Sequence, residues 1–99
     1  MKTAFIVIRS PQELDPTHMV HRVAAPDEAS VVLFEDAVYN ALRHGPAERL
    51  AKAAHEVLVA ADDLEARGFA PEDLKVGRAV KYDDIVDCIM ERTERTVTV

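Results

Sequence analysis

Three acidic pairs and one thiol are the residues best suited to chemistry in this chain. Glu35-Asp36, Asp62-Asp63 and Asp83-Asp84 each follow an apolar run, and Cys88 lies a few residues after the last pair. Carboxylates gathered from several strand ends can hold a hard cation such as magnesium, which prefers oxygen ligands. That reading requires Asp36, Asp62 and Asp83 to converge. The competing reading is helix capping, because an aspartate in a first turn accepts backbone N–H bonds and suits the positive end of the helix dipole. Cys88 falls mid-helix in the sequence pattern, away from the helix start that would lower a thiol's pKa. Asp84, one turn before it, raises that pKa, and Arg92, one turn after, lowers it. Its ordinary reading is a structural thiol.

His18 and His21 are three residues apart and share a helix face, but zinc needs a third ligand and none is evident in the sequence. His44 and His55 are isolated. The glycines are scattered singly, so no phosphate-cradling loop is present, and no Gly-x-Ser-x-Gly elbow occurs. Tyr39 sits one turn into the segment after the second apolar run. It suits a half-buried helix face and, equally, a subunit interface, where tyrosine is enriched.

Positioning these residues requires elements that alternate. Thr3–Ile8, Ser30–Phe34 and Val57–Ala61 are continuous apolar runs, the pattern of strands buried on both faces. Val76–Val80 is a fourth strand interrupted by Gly77, and Thr96–Val99 alternates as a short edge strand. Between them, Asp15-Pro16 caps a helix with Met19, Val20, Val23 and Ala24 inward. A second helix runs over Ala37–Leu42, and a third starts at Pro46 with Ala47, Leu50, Ala51 and Ala54 on one face. Asp62 opens a short helix with Glu65 placed for a capping-box-like contact, and Gly68 closes it. Tyr82, Ile85, Val86, Ile89 and Met90 form the apolar stripe of the last helix. The expected fold is a single α/β domain over residues 1–99, three-layered, with a mostly parallel five-stranded sheet. Sites in such folds gather beyond the carboxyl ends of the strands. That edge carries Arg9-Ser10 and the three acidic pairs. A phosphorylated receiver domain would carry acids after its first strand, where Arg9-Ser10 stands.

Composition narrows the function classes. The chain has 99 residues, 48% of them hydrophobic and 30% charged, which suits one globular domain. A net charge of −6 argues against a general grip on nucleic-acid phosphates or anionic lipid, with Arg43, His44 and Arg49 as a local basic exception. One cysteine cannot form an internal disulfide, and the apolar run at Met1–Ile8 is too short for a membrane span. The expected location is the cytoplasm.

Three segments resemble one family. Val31-Val32-Leu33-Phe34-Glu35-Asp36-Ala37-Val38-Tyr39 is similar to the apolar strand and Glu-Asp-x-Val-Tyr signature of the TusB/DsrH proteins. Val57–Ala61 followed by Asp63-Leu64-Glu65-Ala66-Arg67-Gly68 is similar to that family's third strand and its acidic, Ala-Arg-Gly helix. Val80-Lys81-Tyr82-Asp83-Asp84-Ile85-Val86-Asp87 is similar to its Tyr-Asp-x-Phe-Val-Asp stretch. The resemblance implies a DsrE/DsrF/DsrH-like fold and a part in sulfur relay, beside DsrE/TusD-like and DsrF/TusC-like subunits. Such complexes pass persulfide sulfur toward 2-thiouridine in tRNA or within sulfur oxidation, and the carrier cysteine belongs mainly to the DsrE/TusD subunit. Some DsrH-type members have a cysteine in the first helix. Here that stretch reads Thr17-His18-Met19-Val20-His21, and Ala61-Asp62 stands after the third strand, so neither place has a thiol.

The expectation is therefore a non-catalytic subunit without a cofactor or metal. Glu35, Asp36 and Tyr39 are its assembly or site-edge residues, and Cys88 is a sulfur acceptor only as a fallback. Two alternatives stand beside it: a stand-alone homo-oligomer, and a small magnesium-binding protein using the acidic strand ends.

Overall fold

A computed structural model describes all 99 residues. Five strands form one sheet in the order β4-β3-β2-β1-β5: β1 Thr3–Val7, β2 Ala29–Leu33, β3 Glu56–Ala60, β4 Arg78–Val80 and β5 Arg95–Thr98. Every pairing is parallel, so the sheet is more uniform than the mostly parallel one expected. Phe5 faces Val31 and Val97 on its two sides, and Val31 in turn faces Val57. The three apolar runs occupy the three central positions, where both faces need cover. The shorter, more polar β4 and β5 form the edges.

Crossover handedness fixes the layers. The chain steps one strand at a time from β1 to β4. Right-handed crossovers therefore place α1 (Thr17–Val23), α2 (His44–Ala53) and α3 (Ala61–Ala66) on one face. The return from β4 to β5 spans the whole sheet in the other direction, so α4 (Tyr82–Asp87) lies on the opposite face. The cores follow this division. Fifteen buried residues pack on the first face, including Phe5, Leu33, Leu50 and Leu64. Six pack on the second: Val32, Leu58, Ala60, Val80, Ile85 and Cys88.

Several helices differ from the sequence expectation. Residues Glu35–Ala41 wind as a 3₁₀ helix rather than an α-helix over Ala37–Leu42. The Asn40 amide donates to the Ala37 carbonyl at 3.0 Å, which occupies the acceptor that α winding would offer to Ala41. The next helix starts at His44, before Pro46, and buries Ala53 while Ala51 is exposed. Met19 also turns outward, leaving Val20 as the buried apolar residue of α1 beside the buried Thr17. Asp15 acts one position earlier than expected: its Oδ1 accepts from the Thr17 amide at 3.0 Å, and Pro16 occupies the capping position. Asp62 makes no cap for α3, whose N-cap is Ala60.

The last helix shows the largest departure. Ile85 and Cys88 are buried and Ile89 is half-buried, while Tyr82, Val86 and Met90 are 67%, 44% and 73% exposed. After Asp87 the helix widens into a π turn over Cys88–Arg92. Cys88 lies one turn after the buried Ile85 on the same helical face, and Tyr82 and Val86 already point outward ahead of the π turn. The Thr93 hydroxyl, near both the Cys88 and Ile89 carbonyls at 3.0 and 3.1 Å, closes the turn.

Candidate functional site

The carboxyl edge of the sheet gathers the residues expected there in two groups. At the end of β2 the chain turns abruptly, because Glu35 adopts φ +50, a left-handed conformation rarely taken by a residue with a side chain. Its amide then donates to Asp63 Oδ2 at 2.8 Å. Arg67 spans the same seam, donating to Asp36 Oδ1 through Nε at 3.1 Å and Nη2 at 3.0 Å, and to the Asp63 carbonyl through Nη1 at 3.1 Å. Two sequence motifs 28 or more residues apart are thus bonded to each other.

A left-handed glycine completes this seam. Gly68, at φ +83, lets the Phe69 amide reach back to the Leu64 carbonyl at 3.2 Å and its own amide to Glu65 at 2.9 Å. This reversal places the Phe69 ring edge-on to Tyr39, with centroids 5.8 Å apart at 90°. Beside the seam lies a cleft of about 380 Å³ lined by Ser10, Pro11, Gln12, Asp36, Tyr39 and Arg43. Asp36 and Tyr39 therefore line one cleft with the residues after β1, and Glu35 is not among its lining residues. The cleft offers hydroxyls, a carboxylate and a guanidinium. It contains no thiol and no histidine to activate a serine, so it suits polar contact rather than nucleophilic attack.

Cys88 belongs to the other end and the other face of the sheet. It is fully buried, 3.8 Å from Glu56 at the start of β3. Burial pushes the Cys88 thiol up, and the Glu56 charge adds to that shift against a smaller opposing pull from Arg92. Glu56 is a hub: it accepts from Ser30 Oγ at 3.0 Å, Arg92 at 2.8 Å and Arg78 at 3.4 Å. Burial opposes its ionisation, but the Arg92 and Ser30 hydrogen bonds and the two guanidinium charges hold it below the usual carboxylate range. The sequence did carry a signal for this hub, a lone charge opening an apolar strand. Its partners in β2, β4 and the π turn were not readable.

The acidic strand ends do not converge. Asp36 is engaged by Arg67 and Asp63 by the Glu35 amide, and no three His, Cys, Asp or Glu side chains come together as a metal-binding group. The premise of the magnesium reading therefore fails.

An all-parallel five-stranded sheet with three helices on one face and one on the other makes this chain an α/β protein of open-sheet architecture. The comparisons place it more closely. Residues 9–95 match the family described as DsrH like protein, and the chain belongs to that family. Its fold is similar to protein Tm0979 from Thermotoga maritima, with a TM-score of 0.62 and 26% identity over 85% of this chain and 87% of that one. No curated protein matches the chain. No helix is long and apolar enough to cross a membrane.

Proposed function

We propose that this chain is a non-catalytic subunit of a cytoplasmic sulfur-relay complex, acting as a single DsrH/TusB-like domain over residues 1–99. Its partners are DsrE/TusD-like and DsrF/TusC-like subunits, and the sulfur it helps to pass goes to 2-thiouridine in tRNA or through sulfur oxidation. The observation that carries the reading is the state of Cys88. In persulfide transfer an acceptor thiolate attacks the outer sulfur of a donor persulfide. A new S–S bond forms and the donor thiolate leaves. That attack needs an ionised and accessible sulfur. Cys88 is neither, since it is fully buried and its pKa is raised.

Two surfaces support the subunit role. Asp36 and Tyr39 line a polar cleft at the carboxyl edge and, with the adjoining Glu35, serve as the assembly contact there. Tyr82, Val86 and Met90 expose an apolar stripe on α4 and the π turn, flanked by Asp83, Asp87 and Glu91. A partner presenting apolar side chains rimmed by cations complements that stripe.

Purification of the tagged chain from its native cell tests the proposal. Recovery with cysteine-bearing DsrE- and DsrF-like chains is the expected result. Recovery as a homo-oligomer alone contradicts it.

A further inference from the structure

The second face of the sheet is only half covered. Parallel strands are buried on both faces, and helices supply the cover. The first face has three helices, and the second has α4 and its π turn alone. The core on that second face takes Val32 from β2, Leu58 and Ala60 from β3 and Val80 from β4, and β5 adds no residue to it. Val97 of β5 packs toward the first face, so alternation turns Thr96 and Thr98 to the second, where both are exposed. Ile6, paired with Thr98 in register, is only partly covered. Ile8, just beyond the end of β1, is 43% exposed.

The apolar stripe of α4 borders this open half. Tyr82 stands edge-on to Phe34 at the end of β2, with ring centroids 6.1 Å apart at 62°. Val86 and Met90 continue the stripe along the helix and the π turn. The result is a step, with the helix as its wall and β1 and β5 as its floor. Charge marks its rim. Asp83, Asp84, Asp87 and Glu91 are exposed, and none of the four is in an ion pair. The nearby Arg78 and Arg92 are both committed to Glu56, which leaves Lys81 as the one free cation on this helix.

We propose that a partner chain lays an amphipathic helix on this step, over β1 and beside α4, and so completes the second helical layer. The inference rests on the subunit reading and names the element that the partner supplies. A helix fits because the layers that cover parallel sheets are helical. Its apolar face meets Ile6, Ile8, Val86 and Met90, and lysines or arginines on its flank toward α4 meet the unpaired Asp83 and Asp87. A second copy of this chain meeting through the same face brings carboxylates against carboxylates. The same carboxylates disfavour an anionic lipid surface.

Photo-crosslinking in the native cell tests it, with benzoylphenylalanine in place of Val86 and, separately, of Ile8 in the full-length chain. Both positions are exposed, so the protein keeps its fold. Both are expected to cross-link to one partner segment, identified by mass spectrometry as a helix with apolar residues at i, i+3, i+4 and i+7 and basic residues beside them. Ile8→Lys is expected to weaken association of the purified complex about tenfold while the melting temperature of the free chain is unchanged. The Asp83→Asn, Asp87→Asn double variant is expected to flatten the salt dependence of that association. Cross-links to a second copy of this chain, to lipid, or to an extended or acidic segment overturn the proposal. No cross-link from Ile8, or full association in Ile8→Lys, also overturns it. Cross-links to a basic amphipathic helix of a chain unrelated to DsrE or DsrF support this inference and contradict the subunit reading. Recovery of those relatives with cross-links elsewhere does the reverse.

Discussion

Glu56 shows how one side chain sets local stability and adds to the effect of burial on the thiol. Its carboxyl is held below the usual range in the folded state, so the stability it contributes is complete above the unfolded value of about 4.3 and is lost as pH falls through the lower folded value. Glu56→Gln is expected to cost about 1–3 kcal/mol at pH 7, with the gap to the parent narrowing below about pH 4, as read by urea unfolding across pH. Residue identity foretold part of this chemistry. Cys88 was read as a structural thiol from its mid-helix position, and Asp84 was named as the acid raising its pKa. The acid beside the sulfur is instead Glu56, 32 residues away and supplied by the sheet. Asp36 and Tyr39 are expected at a site edge because they adjoin a strand end, and both line the cleft beside the residues after β1. Arg67 and Phe69 were not expected there, since the seam joining them to that edge forms only when α3 docks beside the 3₁₀ segment.

At the scale of elements, two glycines mark where the backbone had no alternative. Gly77 stands just before β4 at φ +74, and a Cβ there would meet the Val57 carbonyl oxygen at 2.4 Å. Gly77→Ala is expected to lose about 2 kcal/mol or more in denaturant melts, because the strained φ and the backbone clash act together. Gly68 has the same left-handed φ but open space around its Cβ position, so Gly68→Ala should cost about 1 kcal/mol and less than Gly77→Ala. The sequence reading placed Gly77 inside the strand and took it as a weakness. It is the turn that lets β4 begin. Strand runs were readable to within two residues because burial on both faces demands unbroken apolar sequence. The phase of α4 was not, because a regular 3.6-residue period assigns Cys88 beside the stripe and Met90 within it. The sheet instead takes the face of Ile85 and Cys88 and leaves Tyr82, Val86 and Met90 outward.

Over the whole molecule, the crossover pattern loads three helices onto one face and leaves α4 alone on the other. That imbalance follows from the strand order. It explains why exposed apolar side chains collect on α4 and the π turn. Val86→Lys and Met90→Lys change exposed positions, so each should shift stability by no more than about 0.5 kcal/mol while reducing recovery of partner subunits in co-purification. Alternation of strands and helices made the parallel sheet legible from the sequence. The one-sided loading also follows from handedness once the order β4-β3-β2-β1-β5 is known, but no residue pattern announces that order. The central claim is that sulfur passes through partners and not through this chain. Intact-mass analysis of every subunit, after the recovered complex is charged with a persulfide donor, tests it most directly. The account predicts an added sulfur mass on a partner cysteine and none on this chain, with the same partner loading when Cys88→Ser is substituted. Added sulfur on Cys88, or loss of partner loading in that variant, would contradict it.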